Sequence, residues 1–306
     1  MTHALILSPT QVLENGLKFI SINPTKGSDE SRVLQFHKHY GSSPTLLAAI
    51  WNDLLTTNIE GAVLTQTERS YAGFRMYCVA HYYLWTYEKN SHLLASRFKI
   101  RERDCRGAPL WKWIMKFAAL KEKKIVWDAR LDHPDSEKFA VSVDGVDFWT
   151  TEKAHPTFNM DKGNCSHKFN KCAAKYEIVL SVFESKCVSI NGPFRGGESD
   201  LNIFIDKTKE KLVQSGKIAI VDKGYRSKIA EENALMSFPD KMDRQELSNF
   251  KSRARLRHES FNGRLKAFGC LSKRFSHGFE KHKHALEAVV VIVQYQMELG
   301  SPLFAV

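Results

Sequence analysis

The chain has few cysteines, no Cys-x-x-Cys pair and no long apolar run, and each absence removes a class of protein. Six cysteines in 306 residues, at 78, 105, 165, 172, 187 and 270, are too few for a disulfide scaffold and fit a reduced, intracellular compartment. Without Cys-x-x-Cys the standard zinc modules drop out. "CSHKFNKC" (165–172) leaves only Cys165, His167 and Cys172, a trio of no standard spacing. The opening "MTHALILSPTQVLENG" has neither a basic n-region nor a long apolar core, so no signal peptide is expected. No apolar stretch approaches the roughly 18 residues of a membrane span. The longest candidate, "ALEAVVVIVQYQMELG" (285–300), carries two Glu and reads as a buried helix. A membrane is therefore not an expected partner, and no internal repeat or low-complexity tract suggests an array.

What is present is positive charge. There are 45 Lys+Arg against 34 Asp+Glu, a formal net charge of +11, with a pI near 9.3. This balance favours a polyanionic partner, nucleic acid foremost. Hydrophobic residues at 43% suffice for one large or two modest cores.

The first 125 residues carry helical periodicity, as in "SRVLQFHKHY" and "SPTLLAAIWNDLLTT". "INPTKGSDES" (22–31) is rich in turn formers, so residues 1–30 are expected to be a loosely ordered segment ahead of a helical region, 31–125. Within it, 72–120 read as three helices. The second, "SHLLASRF", takes Ser91 as N-cap, and the third has Pro109 in its first turn. This spacing suits a helix-turn-helix whose last helix, with Lys112 and Lys116, enters a DNA groove, or else an ordinary bundle with Trp111 and Trp113 in its core.

From about 137 the texture changes. "KFAVSVDGVDFW", "KYEIVLSVF" and "KCVSINGPF" are strand-like runs. "SDLNIFIDKTKEKLVQSG" follows as a helix, capped by Ser199 or Asp200 and stopped by Gly216. "KIAIVDKGY" is another strand, and basic and apolar helices are expected at about 241–268 and 282–299. The expected class is α/β, a mixed sheet flanked by helices over 126–306.

Three carboxylates carry the chemistry. Asp144 sits late in "AVSVDG", read as turning at Gly145, and Asp222 ends "IAIVDKGY". Carboxylates at strand ends have fixed backbones, which suits placement of a divalent cation with oxygen ligands; each alone is equally a turn cap. "RARLRHESFNGRLK" (253–266) sets Glu259 alone among five Lys/Arg. Leu247, Phe250, Ala254, Phe261, Leu265 and Phe268 form an apolar stripe at helical spacing, and Arg255, Glu259, Asn262 and Lys266 share a polar face beside it. A carboxylate, an amide and two cations then point one way; the plain alternative is a solvated face on which Glu259 pairs with Arg255.

"VDGVDF", "SHKFNKCAAKYEIVLSVF", "INGPFRGGESDLNIF", "VDKGYRS" and "RHESFNGRLKAF", in this order, resemble the DDE transposases of the PIF/Harbinger superfamily and their bacterial insertion-sequence relatives. The resemblance covers about 137–306 strongly; "YYLWTYEKNSHLLASRFKI" more weakly resembles the preceding helix-turn-helix, and "MELGSPLFAV" the end of such proteins. It implies an RNase H-like catalytic fold with Asp144, Asp222 and Glu259 as the triad, 36 residues (223–258) separating the last two. Asp147 and Asp200 fall outside the triad.

The triad implies Mg²⁺, with Mn²⁺ as a substitute, and double-stranded DNA (element ends and target) as substrate. Two ions in such a site can stabilise attacking and leaving oxygens alike. Lys168 in "SHK", Lys223, Arg226, Arg253, Arg255, Arg257, His258, Asn262, Arg264 and Lys266 become candidate DNA contacts. Residues 241–284 hold 12 Lys/Arg against four Asp/Glu, and phosphate contacts of that kind give affinity and register. A homo-oligomer and a separately encoded Myb-like DNA-binding partner are also implied, with a nuclear location in a eukaryotic host. A domesticated DNA binder without catalysis and a nuclease without strand transfer are the alternatives.

Overall fold

A computed structural model describes residues 5–127, 138–151, 162–168, 170–240 and 242–306. The chain divides into two compact units: Met1–Lys124 with Lys266–Lys273 and His284–Leu299, and Ile125–Leu265 with Arg274–Lys283 and Gly300–Val306.

The first unit is helical. Helices α1 (Pro9–Phe19), α2 (Asp29–Tyr40), α3 (Pro44–Thr56), α4 (Tyr71–Thr86), α5 (Ser91–Phe98), α6 (Ala108–Ala119) and α7 (Lys121–Lys124) follow in order. Their starts are written in the sequence: Ser8, Ser28, Ser43 and Ser70 each accept a backbone N–H of the first turn. The core is aromatic, with Trp51 edge-on to Phe74 (5.1 Å) and Tyr77 edge-on to Phe117 (5.0 Å).

Three expectations change here. Residues 9–19 are not loose: Ser8 and Gln11 form a reciprocal capping box, and Val12, Leu13, Leu17 and Phe19 are buried. Asn90, not Ser91, caps α5, its Oδ1 accepting from His92 N and Leu93 N. Helix α6 is a core helix of the bundle, burying Leu110, Trp111, Trp113, Ile114, Lys116 and Phe117.

The second unit holds a five-stranded mixed sheet. Strands β1 (Phe139–Trp149), β2 (Ala173–Ser181), β3 (Cys187–Arg195), β4 (Ile218–Ile220) and β5 (Met236–Ser237) lie in the order β3-β2-β1-β4-β5. β2 runs antiparallel to β1 and β3, while β4 is parallel to β1 and β5 to β4. Strand β1 does not turn at Gly145 but continues to Trp149, so Asp144 lies mid-strand opposite Ile178. A Cβ on Gly145 would stand 2.5 Å from the Asp200 carboxylate, so the glycine serves close approach rather than a turn.

Helices α8 (Asp200–Lys207) and α9 (Lys209–Ser215) cover one sheet face, where Phe204 and Leu212 pack with Val141, Val143, Val179, Ala219 and Val221. The single helix expected over 200–216 is broken at the buried Thr208, whose hydroxyl donates to Glu177 Oε1 at 2.5 Å. After the short α10 (Ala230–Asn233), helix α11 (Gln245–Ala267) covers the opposite face. Ala254 packs with Val182 and Ile220 there, flanked by Phe139, Phe250 and Val306. Helices α12 (Gly269–Ser272) and α13 (Phe279–Glu298) follow. No helix among the described residues is long and apolar enough to cross a membrane.

Candidate active site

Side-chain alternation puts Ser142 and Asp144 of β1, and Ile178 and Leu180 of β2, on the α11 face. Ser142 pairs with Ile220 of the parallel β4, so Asp144 and Asp222 each lie two residues beyond that pair on neighbouring paths. The chain leaves β4 through a tight turn in which Asp222 caps the 3₁₀ helix Lys223–Tyr225, its Oδ1 accepting from Gly224 N at 3.0 Å. The backbone thus orients one carboxylate edge.

Helix α11 meets both carboxylates. Arg255 forms an ion pair with Asp222 Oδ2, and Asn262 Nδ2 donates to Asp144 Oδ2 at 3.2 Å. Seven residues apart, Arg255 and Asn262 share one helix face. Glu259 falls between them by spacing and is exposed. Arg255 therefore pairs with Asp222 rather than with Glu259.

Two buried polar groups at this place lack partners. Asn262 Oδ1 has no hydrogen bond, and His258, 2% exposed, has none at either ring nitrogen. Its imidazole sits against the Ser142 backbone and the Asp144 carboxylate. Burial lowers its pKa, an effect the Asp144 charge opposes. Lys168 also reaches the site: its Nζ donates to Gly145 O at 2.9 Å, and Ser166, which accepts from its backbone N–H, donates to Asp147.

The remaining cations sort by what they hold. Lys223 and Arg226 are exposed beside Asp222, with Arg226 over the Phe238 ring at 5.7 Å. Arg257 is not available to DNA: it is 2% exposed, and its guanidinium donates to Val182 O and Glu184 O. His258 is likewise too buried to touch DNA as it stands. Arg253 donates to Ala305 O, and Arg264 to Ser301 O and Pro302 O, so both anchor the chain end along α11. Lys266 is exposed. In the helical unit Lys112 pairs with Glu68 at 2.8 Å, and Lys116, 5% exposed, donates to Val63 O. Lys116 is structural because a buried ammonium needs such partners.

Sequence reasoning missed a polar cluster on the opposite face. Glu177, 1% exposed, accepts from Thr208 and Asn191 through Oε1, while Oε2 has no partner. Desolvation pushes its pKa up to about 7, against those hydrogen bonds and with help from the Asp200 charge. Asp200 pairs with Lys175 at 2.9 Å. The Tyr225 hydroxyl, fully buried and without a partner, is pushed well up by burial and then by Glu177, Asp200, Asp144 and Asp222. The signal was a Glu inside "KYEIVL", a run otherwise suited to a buried strand.

The donors facing Asp144 and Asp222 are oxygens: two carboxylates, an amide oxygen without a partner and, one helix face away, Glu259. That set fits a hard divalent cation in kind. Among the described residues, however, no three His, Cys, Asp or Glu stand close enough together to hold a metal ion, the Asp144–Asp222–Glu259 and Cys165–His167–Cys172 trios included. No family model matches the chain, and neither a curated protein nor a solved structure does.

Proposed function

We propose that the chain is a Mg²⁺-dependent DNA-cutting enzyme of the DDE transposase type, with Asp144, Asp222 and Glu259 as its carboxylates on an RNase H-like domain. The observation carrying this reading is that one helix, α11, meets Asp144 through Asn262 and Asp222 through Arg255 while bearing Glu259 between them. Mg²⁺ bound there supplies Lewis-acid activation of water and neutralises charge on the phosphate.

The chain's residues do the positioning. Asn262 orients the Asp144 carboxylate, and Gly224 N–H orients that of Asp222. Lys168, beside the carbonyl of Gly145, and Lys223 and Arg226, beside Asp222, are placed to hold phosphates of the bound strand. Hydrolysis at an element end and attack by the freed 3′-hydroxyl on target DNA are both in-line phosphoryl transfers, so one site serves both. Two ends call for at least two copies, and a Myb-like protein is the expected partner for end recognition. The helical unit then has a scaffolding or DNA-docking role, through the exposed Lys112 rather than Lys116.

A DNA binder without catalysis is the second reading, favoured by the Arg255–Asp222 pair and the lack of a three-carboxylate cluster among the described residues. Nicking of supercoiled plasmid with Mg²⁺ or Mn²⁺ separates the two. The proposal predicts cutting by the wild type and none by Asp222→Ala or Glu259→Ala. Retention of full activity by both variants overturns it. Binding without cutting by all three, with a Myb-like partner supplied, favours the second reading.

A further inference from the structure

Four arginines of α11 lie within twelve residues, yet they hold different things. Arg253, Arg257 and Arg264 donate to backbone carbonyls, of Ala305, of Val182 and Glu184, and of Ser301 and Pro302. Arg255 instead holds a carboxylate, Asp222 Oδ2. The other oxygen of that carboxylate is taken by Gly224 N–H. Both partners are half-exposed, at 44% and 45% of their side chains, so the pair opens without unpacking a core.

A carboxylate edge that accepts from a guanidinium cannot also coordinate a hard cation, because the two positive centres would share one oxygen. Arg255 must leave Oδ2 before Asp222 becomes a ligand there. Its i+4 neighbour is Glu259, which belongs to the same proposed donor set, and beyond that set the anion that enters the site is a backbone phosphate. Guanidinium is suited to it, presenting a fork of donors that matches phosphate oxygens.

We propose that Arg255 is a charge-exchange residue: it neutralises Asp222 until a divalent cation takes that carboxylate, and it then binds a phosphate of the DNA strand. Cation and DNA binding are thereby coupled, each strengthening the other by the same factor. This rests on the cation site proposed above and adds an order to its filling. Asn262 does not take part in the exchange, since its Nδ2 on Asp144 leaves Oδ1 available.

The test is Mn²⁺ binding, by electron paramagnetic resonance titration, to wild type, Arg255→Gln and Arg255→Lys, each with and without a fixed duplex at fixed salt. Without DNA, Arg255→Gln is expected to bind Mn²⁺ about two- to fivefold more tightly, the factor a half-exposed ion pair is worth. With DNA, the gain in Mn²⁺ affinity seen for wild type is expected to vanish in Arg255→Gln and to persist in part in Arg255→Lys. Unchanged or weaker Mn²⁺ binding in Arg255→Gln, or coupling equal to wild type, overturns the exchange. Asp222→Asn separates this failure from that of the site. If it abolishes Mn²⁺ binding while Arg255→Gln fails to tighten it, only the exchange falls; if it leaves Mn²⁺ binding intact, the cation site falls as well.

Discussion

The two faces of the sheet carry carboxylates of the same kind in opposite circumstances. On the α8 face Glu177 is sealed in, bonded to Thr208 and Asn191, and held close to neutrality by desolvation. On the α11 face Asp144 and Asp222 meet side chains of one helix, and the Asp222 pair is half in solvent. Partners that can be displaced make a binding site; partners that complete a core make a structural network. Composition does not separate the two, because each face joins acidic groups with amides and cations.

The contrast repeats along α11. Replacing Arg257 with Met is expected to destabilise the fold by about 3 kcal/mol in urea denaturation, since two buried carbonyls lose a charged donor. Arg253→Ala, at an exposed position, should change it by less than about 1 kcal/mol. Equal effects would mean that burial does not distinguish these arginines.

Glu177 gives the pH dependence of the sealed face. Its pKa in the folded chain, about 7, lies above the ordinary 4.5, so the folded chain holds the proton more tightly than the unfolded one. Its contribution is full below pH 4.5 and is lost as pH rises through about 7, by about 2 kcal/mol in all. Denaturation midpoints between pH 4.5 and 8 should show this decline in wild type and not in Glu177→Gln, which keeps an acceptor oxygen for Thr208. A smaller effect is expected at the seam between the faces. Gly145→Ala pushes a methyl against the Asp200 carboxylate and should cost about 1–2 kcal/mol, read in the same denaturation experiment.

Much of the fold was legible because its signals are local. Serine caps, apolar periodicity and β-rich runs placed most helices and four of the five strands. Strand β5, two residues long, is too short to carry a pattern and exists by pairing with β4. Asp144 was expected at a turn because Gly145 follows it; the glycine instead makes room for Asp200, a contact across 55 residues of chain. The stripe of Ala254, Phe261 and Leu265 is buried, as its spacing implies. Arg257 and His258 occupy the step of that stripe between 254 and 261, so their burial was readable from position while their chemistry suggested solvent. Lys116 misled in the same way, as a cation one turn from Trp113 on a helix that packs most of its surface. The candidate site was legible as residue types and order. Which cation meets which carboxylate was not, because that depends on how α11 lies across β1 and β4.

The most direct test of the central claim is the stoichiometry of Mn²⁺ binding to wild type, Asp144→Asn and Glu177→Gln, read by electron paramagnetic resonance. A site on the α11 face predicts that Asp144→Asn loses bound Mn²⁺ while Glu177→Gln retains it. Loss in Glu177→Gln with retention in Asp144→Asn would contradict the account and move the cation to the opposite face of the sheet.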